Sequence, residues 1–333
     1  MVRAQTSALA VIALSIALLA GTTVLWQEQQ LGLRYVEGEQ FARHQSVLTG
    51  SAPNPWRYRV LAEWIAAGFI KAAYVTQVPR PIAVGFLGLR FFQNALIFLL
   101  AFMYYRRLDL GRRQALVGVL VLAFAFTYAV DNSDLSLNTY FDVAFYLLAV
   151  LFLIAHRVLP FLAVVVIAAL NRETSAFIPL LPLAEWVAHP RTAPANARRL
   201  LWVSAAALTL WMIVFGGLRF VLGWPATAWR DHWGPRGWEL VAVNVSSLHT
   251  WLFLALTFSI LPLLTLWEFR LLPTRIRGLF WLMVPLWFAI HFASALVNET
   301  RLFLVPVALV FIPGALCRRV SSRGEENVAP TPG

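Results

Sequence analysis

Apolar runs recur along the whole chain, with short clusters of arginine between them. They lie at about 7–26, 83–105, 115–130, 140–155, 158–170, 174–189, 200–222, 248–268, 278–297 and 302–317. As helices, the longer runs match the ~30 Å hydrocarbon thickness of a bilayer. A hydrophobic content of 60% and a mean hydropathy of +0.70 exclude an ordinary soluble domain. The fold expected is an all-α, polytopic transmembrane helical bundle.

The net charge of +11 belongs to the clusters between the runs rather than to a continuous basic face. That pattern points to membrane topology and away from nucleic acid. With one cysteine, Cys317, the chain has no internal disulfide and no zinc-like spacing. Near the N-terminus, "MVRAQ" precedes an apolar run that is long for a signal peptide and lacks an A-x-A site. It reads as an uncleaved first transmembrane helix.

The stretch "RYRVLAEWIAAGFIKAAYV" (58–76) carries Arg59, Glu63 and Lys71 at a spacing that suggests a helix with one polar stripe. If it spanned the membrane, "RRLDLGRR" (106–113) would fall outside, against the positive-inside rule. As an interfacial or re-entrant helix on the outer face, it leaves every basic cluster inside. About ten membrane segments follow, with both termini cytoplasmic. A single membrane domain spans 1–320, its first outer loop and interfacial helix cover 27–82, and 321–333 is a disordered cytoplasmic tail.

Within this topology residues 158–189 must enter the membrane and return. Neither arm is long enough to cross comfortably, so "NRETS" (171–175) sits at the tip of a short hairpin. Backbone that turns at such depth is buried in protein or lines a wet cavity, and charges placed there are functional candidates. Arg172 and Glu173 are either an ion pair closing the hairpin or part of a site.

The outer loops collect the remaining charges. They present Glu37, Glu39, Asp131, Asp134, Asp142, Glu173, Asp231 and Glu299, together with Arg43, His44, Arg57, Arg59, Arg172, Arg230, Arg236 and Arg301. Mixed carboxylates and guanidiniums suit a substrate with a phosphate and several hydroxyls. Carboxylates can accept hydroxyl protons or bind a divalent ion. In an extended first loop, "VEGEQF" would aim at most one of Glu37 and Glu39 into a site. Trp229, Trp233 and Trp238 could stack on a sugar ring or form an interfacial belt. His44 and His232 have no metal-ligand partner at a recognisable spacing.

The order of these features resembles the GT-C superfamily of integral-membrane glycosyltransferases, over roughly residues 1–200. The resemblance rests on "YVEGEQFARHQSVLTGSAPNPWRYRVLAEWI" after a first helix, on "YYRRLDLGRR", on an acidic loop before "YFDVAFYLL", and on the hairpin tip "NRETSAF". It implies sugar transfer from a polyprenyl-phosphate donor at the outer face of a bacterial inner (plasma) membrane. It also implies a first-loop catalytic carboxylate. Glu37 and Glu39 stand at the comparable place, while the usual Asp is missing. Arg57, Arg59, Asp134, Asp142, Arg172, Glu173 and Arg301 are the expected substrate-binding residues; the expected partners are the bilayer and the lipid-linked sugar. Two other readings are a transporter or flippase of a lipid-linked envelope precursor, which would show repeated broken helices, and a non-catalytic scaffold.

Overall fold

The computed structural model describes residues 2–130, 134–188, 194–223, 237–267 and 269–317, and every element among them is helical. The first helix, α1, spans Val2–Leu31; a short α2 (Leu33–Tyr35), a π turn (Val36–Gln40) and α3 (Phe41–Leu48) follow. Next come α4 (Val60–Val75), α5 (Pro81–Arg107), α6 (Arg112–Tyr128), α7 (Leu137–Ile154) and α8 (Val158–Ala169). A 3-10 helix (Glu173–Leu183) leads into α9 (Ala184–Ala188) and α10 (Pro194–Leu222). The rest comprises α11 (Trp238–Ser246), α12 (Leu248–Phe258), α13 (Leu261–Trp267), α14 (Thr274–Ser294) and α15 (Leu304–Pro306). That last helix belongs to a longer helical run, Thr300–Cys317.

Six helices are long and apolar enough to cross a membrane, or seven if α11 and α12, bent by 75° at their junction, count as one span. Leu25, Phe220 and Trp267 stand exposed on the outside of the bundle. Lipid is the solvent that so apolar a surface suits. The molecule is thus compatible with an integral, multi-pass membrane protein. At 17 residues α6 is shorter than these spans, and α8 at 12 is shorter still.

The segment 158–188 forms a hairpin of unequal geometry. Its ascending arm is α8, about 18 Å long at 1.5 Å per residue. The descending arm is the 11-residue 3-10 helix, about 22 Å long at 2.0 Å per residue. Two prolines, Pro179 and Pro182, lie inside it. Each lacks an N–H, which disfavours the i→i−4 ladder of an α-helix. Backbone contact closes the foot of the hairpin against α14. A Cβ on Gly278 would stand 1.7 Å from the Ala184 carbonyl oxygen, so only glycine lets α14 pass there.

The first loop differs from the extended segment expected. Val36, Gln40, His44 and Val47 are buried at i, i+4, i+8 and i+11, a helical stripe, and the chain coils to bury them. The helix α4 buries Ala62, Glu63, Ala66, Ile70 and Ala73. It meets α5 so closely that a Cβ on Gly85 would lie 2.6 Å from the Ile70 backbone. Residues 238–246 are also helical, in the stretch between the apolar runs 200–222 and 248–268 where Trp238 was expected on an outer loop.

The two ends of the bundle carry different charges. At one end α7 passes to α8 through His156 and Arg157, and Arg199 and Arg275 line the same cavity. Tyr104 lies within electrostatic range of Arg275 and Cys317, which brings the ends of α5 and of the last helical run to that end. The hairpin tip, the start of α7 and Arg301 gather at the other end, beside α3 and α4. Among the described residues, the sequence-level separation of arginine clusters from acidic loops is therefore a separation in space.

Candidate functional site

The site is built on α7. Thr139, Asp142 and Tyr146 follow at i, i+3 and i+7, so they share one helix face. Each meets the hairpin tip. Arg172 Nη1 donates to Thr139 Oγ1, Asn171 donates 2.9 Å to Asp142 Oδ1, Thr174 donates to Asp142 Oδ2, and the Tyr146 hydroxyl donates to the Thr174 carbonyl. Asn171 also donates 2.7 Å to the Asn138 carbonyl. Both oxygens of buried Asp142 are therefore engaged in holding the tip.

The adjacent charges of "NRETS" point to different partners. Glu173 pairs with Arg59 at 2.9 Å and has Arg219 at 3.9 Å, while Arg172 turns toward α7. Desolvation pushes the Glu173 carboxyl up, but Arg59 and Arg172 outweigh it, and the group titrates below the ordinary glutamate range. Desolvation, helped by nearby Arg59, lowers Arg172 to about 10. It therefore remains a cation at neutral pH.

A second knot lies beside the first. Asp134 accepts from Arg43 and, at 3.3 Å, from Arg301; Arg301 also pairs with Glu299 at 2.7 Å. Gln40 orients this group. Its Oε1 accepts from Arg43 at 2.8 Å and from the Leu135 N–H at 3.3 Å. Arg301 lies within electrostatic range of Arg43 and Arg172, which joins the two knots into one region. In it the guanidiniums of Arg43, Arg59, Arg90, Arg172, Arg219 and Arg301 gather with the carboxylates of Glu39, Glu63, Asp134, Asp142, Glu173 and Glu299.

The other expected site residues stand as follows. Arg57 caps the C-terminus of α10 by donating to the Leu222 carbonyl, and its neighbour Tyr58 donates 2.8 Å to the Gly223 carbonyl. A cation is favoured at that end of a helix. Glu37 is half-buried and Glu39 exposed, both on the π turn. Two residues apart on a helical turn, they point to nearly opposite sides. Glu39 lies toward Tyr35, which is also within range of Arg43 and Arg301. His44 contacts Glu63 at 2.7 Å, both buried. Asp131, Trp229, Arg230, Asp231, His232, Trp233, Arg236 and the tail 321–333 lie outside the described residues. Among the described residues, no three of His, Cys, Asp and Glu gather as a metal site.

Two arginines of the region were missed in the sequence reading. Arg219 stacks on Tyr58 and Phe215, with centroid distances of 4.3 and 3.4 Å. Arg90 is fully buried on α5, 3.5 Å over the Tyr140 ring, and none of its three side-chain nitrogens has a hydrogen-bond partner among the described residues. The signal was present. Each is the only charged residue in its apolar run, 83–105 or 200–222, and a lone charge in such a run marks a site by default. A buried guanidinium held by a ring face alone is costly. We expect Arg90→Met to stabilise the purified protein by about 1–4 kcal/mol, read as a raised unfolding midpoint in detergent. A lowered midpoint would mean that the charge itself contributes to stability.

Comparison with family models, with curated proteins and with solved structures finds no match.

Proposed function

We propose that this chain is a membrane glycosyltransferase that moves a sugar from a polyprenyl-phosphate donor to an acceptor at the outer, periplasmic or extracellular, face of a bacterial inner membrane. One observation carries the reading: three guanidiniums, those of Arg59, Arg172 and Arg301, converge around the hairpin tip, at the bundle end opposite the basic clusters. By the positive-inside rule the basic end faces the cytoplasm, so the tip end faces outward. Arg172, Arg301 and Arg59 would hold the leaving phosphate, whose negative charge grows in the transition state. Glu39, exposed and on the side of Tyr35, would take the proton of the acceptor hydroxyl as general base. Asp142 and Asp134 would position the arginines.

Donor binding tests the reading. Loss of one charged hydrogen bond, worth about 1.5–3 kcal/mol, corresponds to a roughly 10- to 150-fold change. Arg172→Gln should raise the dissociation constant of a polyprenyl-phosphate sugar by that factor, with the protein still folded. Glu173→Gln should weaken binding less. Unchanged donor binding in Arg172→Gln would reduce the tip to a structural clasp.

The 75° break between α11 and α12 favours a second reading, a transporter of a lipid-linked precursor, because such proteins use discontinuous helices. Movement of labelled lipid across proteoliposomes, without sugar transfer, would decide for it.

A further inference from the structure

The end opposite the candidate site holds a cavity of about 440 Å³ between α7, α8, α10, α14 and the foot of the hairpin. That volume is in the range of ligand sites. Its wall is mainly apolar, with Leu153, Leu181 and Leu279 among its residues, and its polar lining includes His156, Arg157, Arg199 and Arg275. Among the described residues, no carboxylate lines it. The side chains of His156, Arg157 and Arg199 are exposed and make no hydrogen bond or ion pair among the described residues.

Backbone charge adds to this field. Val158 is the first residue of α8 and Thr274 the first of α14, and both line the cavity. Two helix N-termini, each the equivalent of about half a positive charge, therefore converge on it. Arg157 stands directly before α8 and Arg275 is the second residue of α14, positions where the helix dipole disfavours a cation. An anion in the cavity would relieve Arg157. Water alone would satisfy the arginines but gains nothing from the apolar wall.

We propose that this cavity is a binding site for an anionic phospholipid, with the phosphate at Arg157, Arg199 and the two helix N-termini and an apolar tail along the aliphatic wall. Basic pockets between membrane helices suit phosphate head groups. The site lies at the other end of the bundle from the proposed donor site and does not depend on it. Its role is to fasten the foot of the short hairpin to α10 and α14, which a lipid wedged among them would do.

The test uses the full-length protein in detergent, titrated with phosphatidylglycerol and followed by native mass spectrometry. Each arginine near a lipid phosphate is worth about 5-fold in affinity, so Arg157→Gln with Arg199→Gln should weaken binding about 30-fold. The control pair Arg107→Gln and Arg113→Gln, exposed and outside the cavity lining, should leave it unchanged. Phosphatidylcholine should bind far more weakly than phosphatidylglycerol, and glycerol 3-phosphate should not compete. The proposal is overturned if the cavity variant binds as the unmodified protein does, if the control pair loses as much, if phosphatidylcholine binds equally, or if glycerol 3-phosphate displaces the lipid.

Discussion

Glu39→Gln is expected to lower sugar transfer by about 10²- to 10⁴-fold, the usual contribution of a general base, with expression and unfolding midpoint unchanged. The amide keeps the shape of the side chain and loses its basicity. The Glu39 side chain makes no hydrogen bond or ion pair among the described residues, so the folded state loses nothing. Glu37→Gln should have a much smaller effect. The π turn sends it to nearly the opposite side from Glu39, away from the side that Tyr35 shares with Arg43 and Arg301. The measurement is turnover of a polyprenyl-phosphate sugar by purified protein, with each single variant and the double. If the double variant keeps full turnover, no first-loop carboxylate is the base. Asp134 and Asp142 are poor replacements, because Asp134 accepts from two arginines and Asp142 from Asn171 and Thr174.

The charge layout was legible because it depends on composition by segment. Arginine clusters and acidic loops alternate along the chain, and chain reversals of the right length bring like clusters to the same end. The short hairpin was legible for the same reason, since its two arms are too brief to cross. Pairing within the site was not. Adjacent Arg172 and Glu173 suggested an ion pair, yet an extended backbone at Arg172 (φ −164°) turns the two side chains apart, and each finds a partner distant in sequence. The helical first loop was missed because Gln40 and His44 are polar. Their burial depends on Arg43, Glu63 and the Leu135 N–H, none of which a hydrophobic pattern can reveal. The 3-10 arm was hidden too. Pro179 and Pro182 announce a break in an α-helix, but that the chain continues as a longer, thinner coil depends on the space left between α8, α10 and α14.

Asp134→Asn is expected to destabilise the protein by about 3–5 kcal/mol, the cost of removing one partner from a buried ionic group. Asp134 is 7% exposed and is the carboxylate that Arg43 and Arg301 share. Without its charge the two guanidiniums repel each other in a poorly solvated place, and the amide presents hydrogen atoms to donors. The loss should also be specific in its rescue. Arg301 keeps Glu299 at 2.7 Å, so the cation left most exposed to the deficit is Arg43. Removing that charge as well, in Asp134→Asn with Arg43→Gln, should recover part of the lost stability, with a coupling of about 0.5–3 kcal/mol. The single Arg43→Gln change should cost less than Asp134→Asn, because Asp134 then still accepts from Arg301 and from Ser136. Unfolding midpoints in detergent for the two single variants and the double decide the matter. Additive losses would show that Arg43 and Asp134 act independently, and that Gln40 rather than the shared carboxylate holds Arg43 in place.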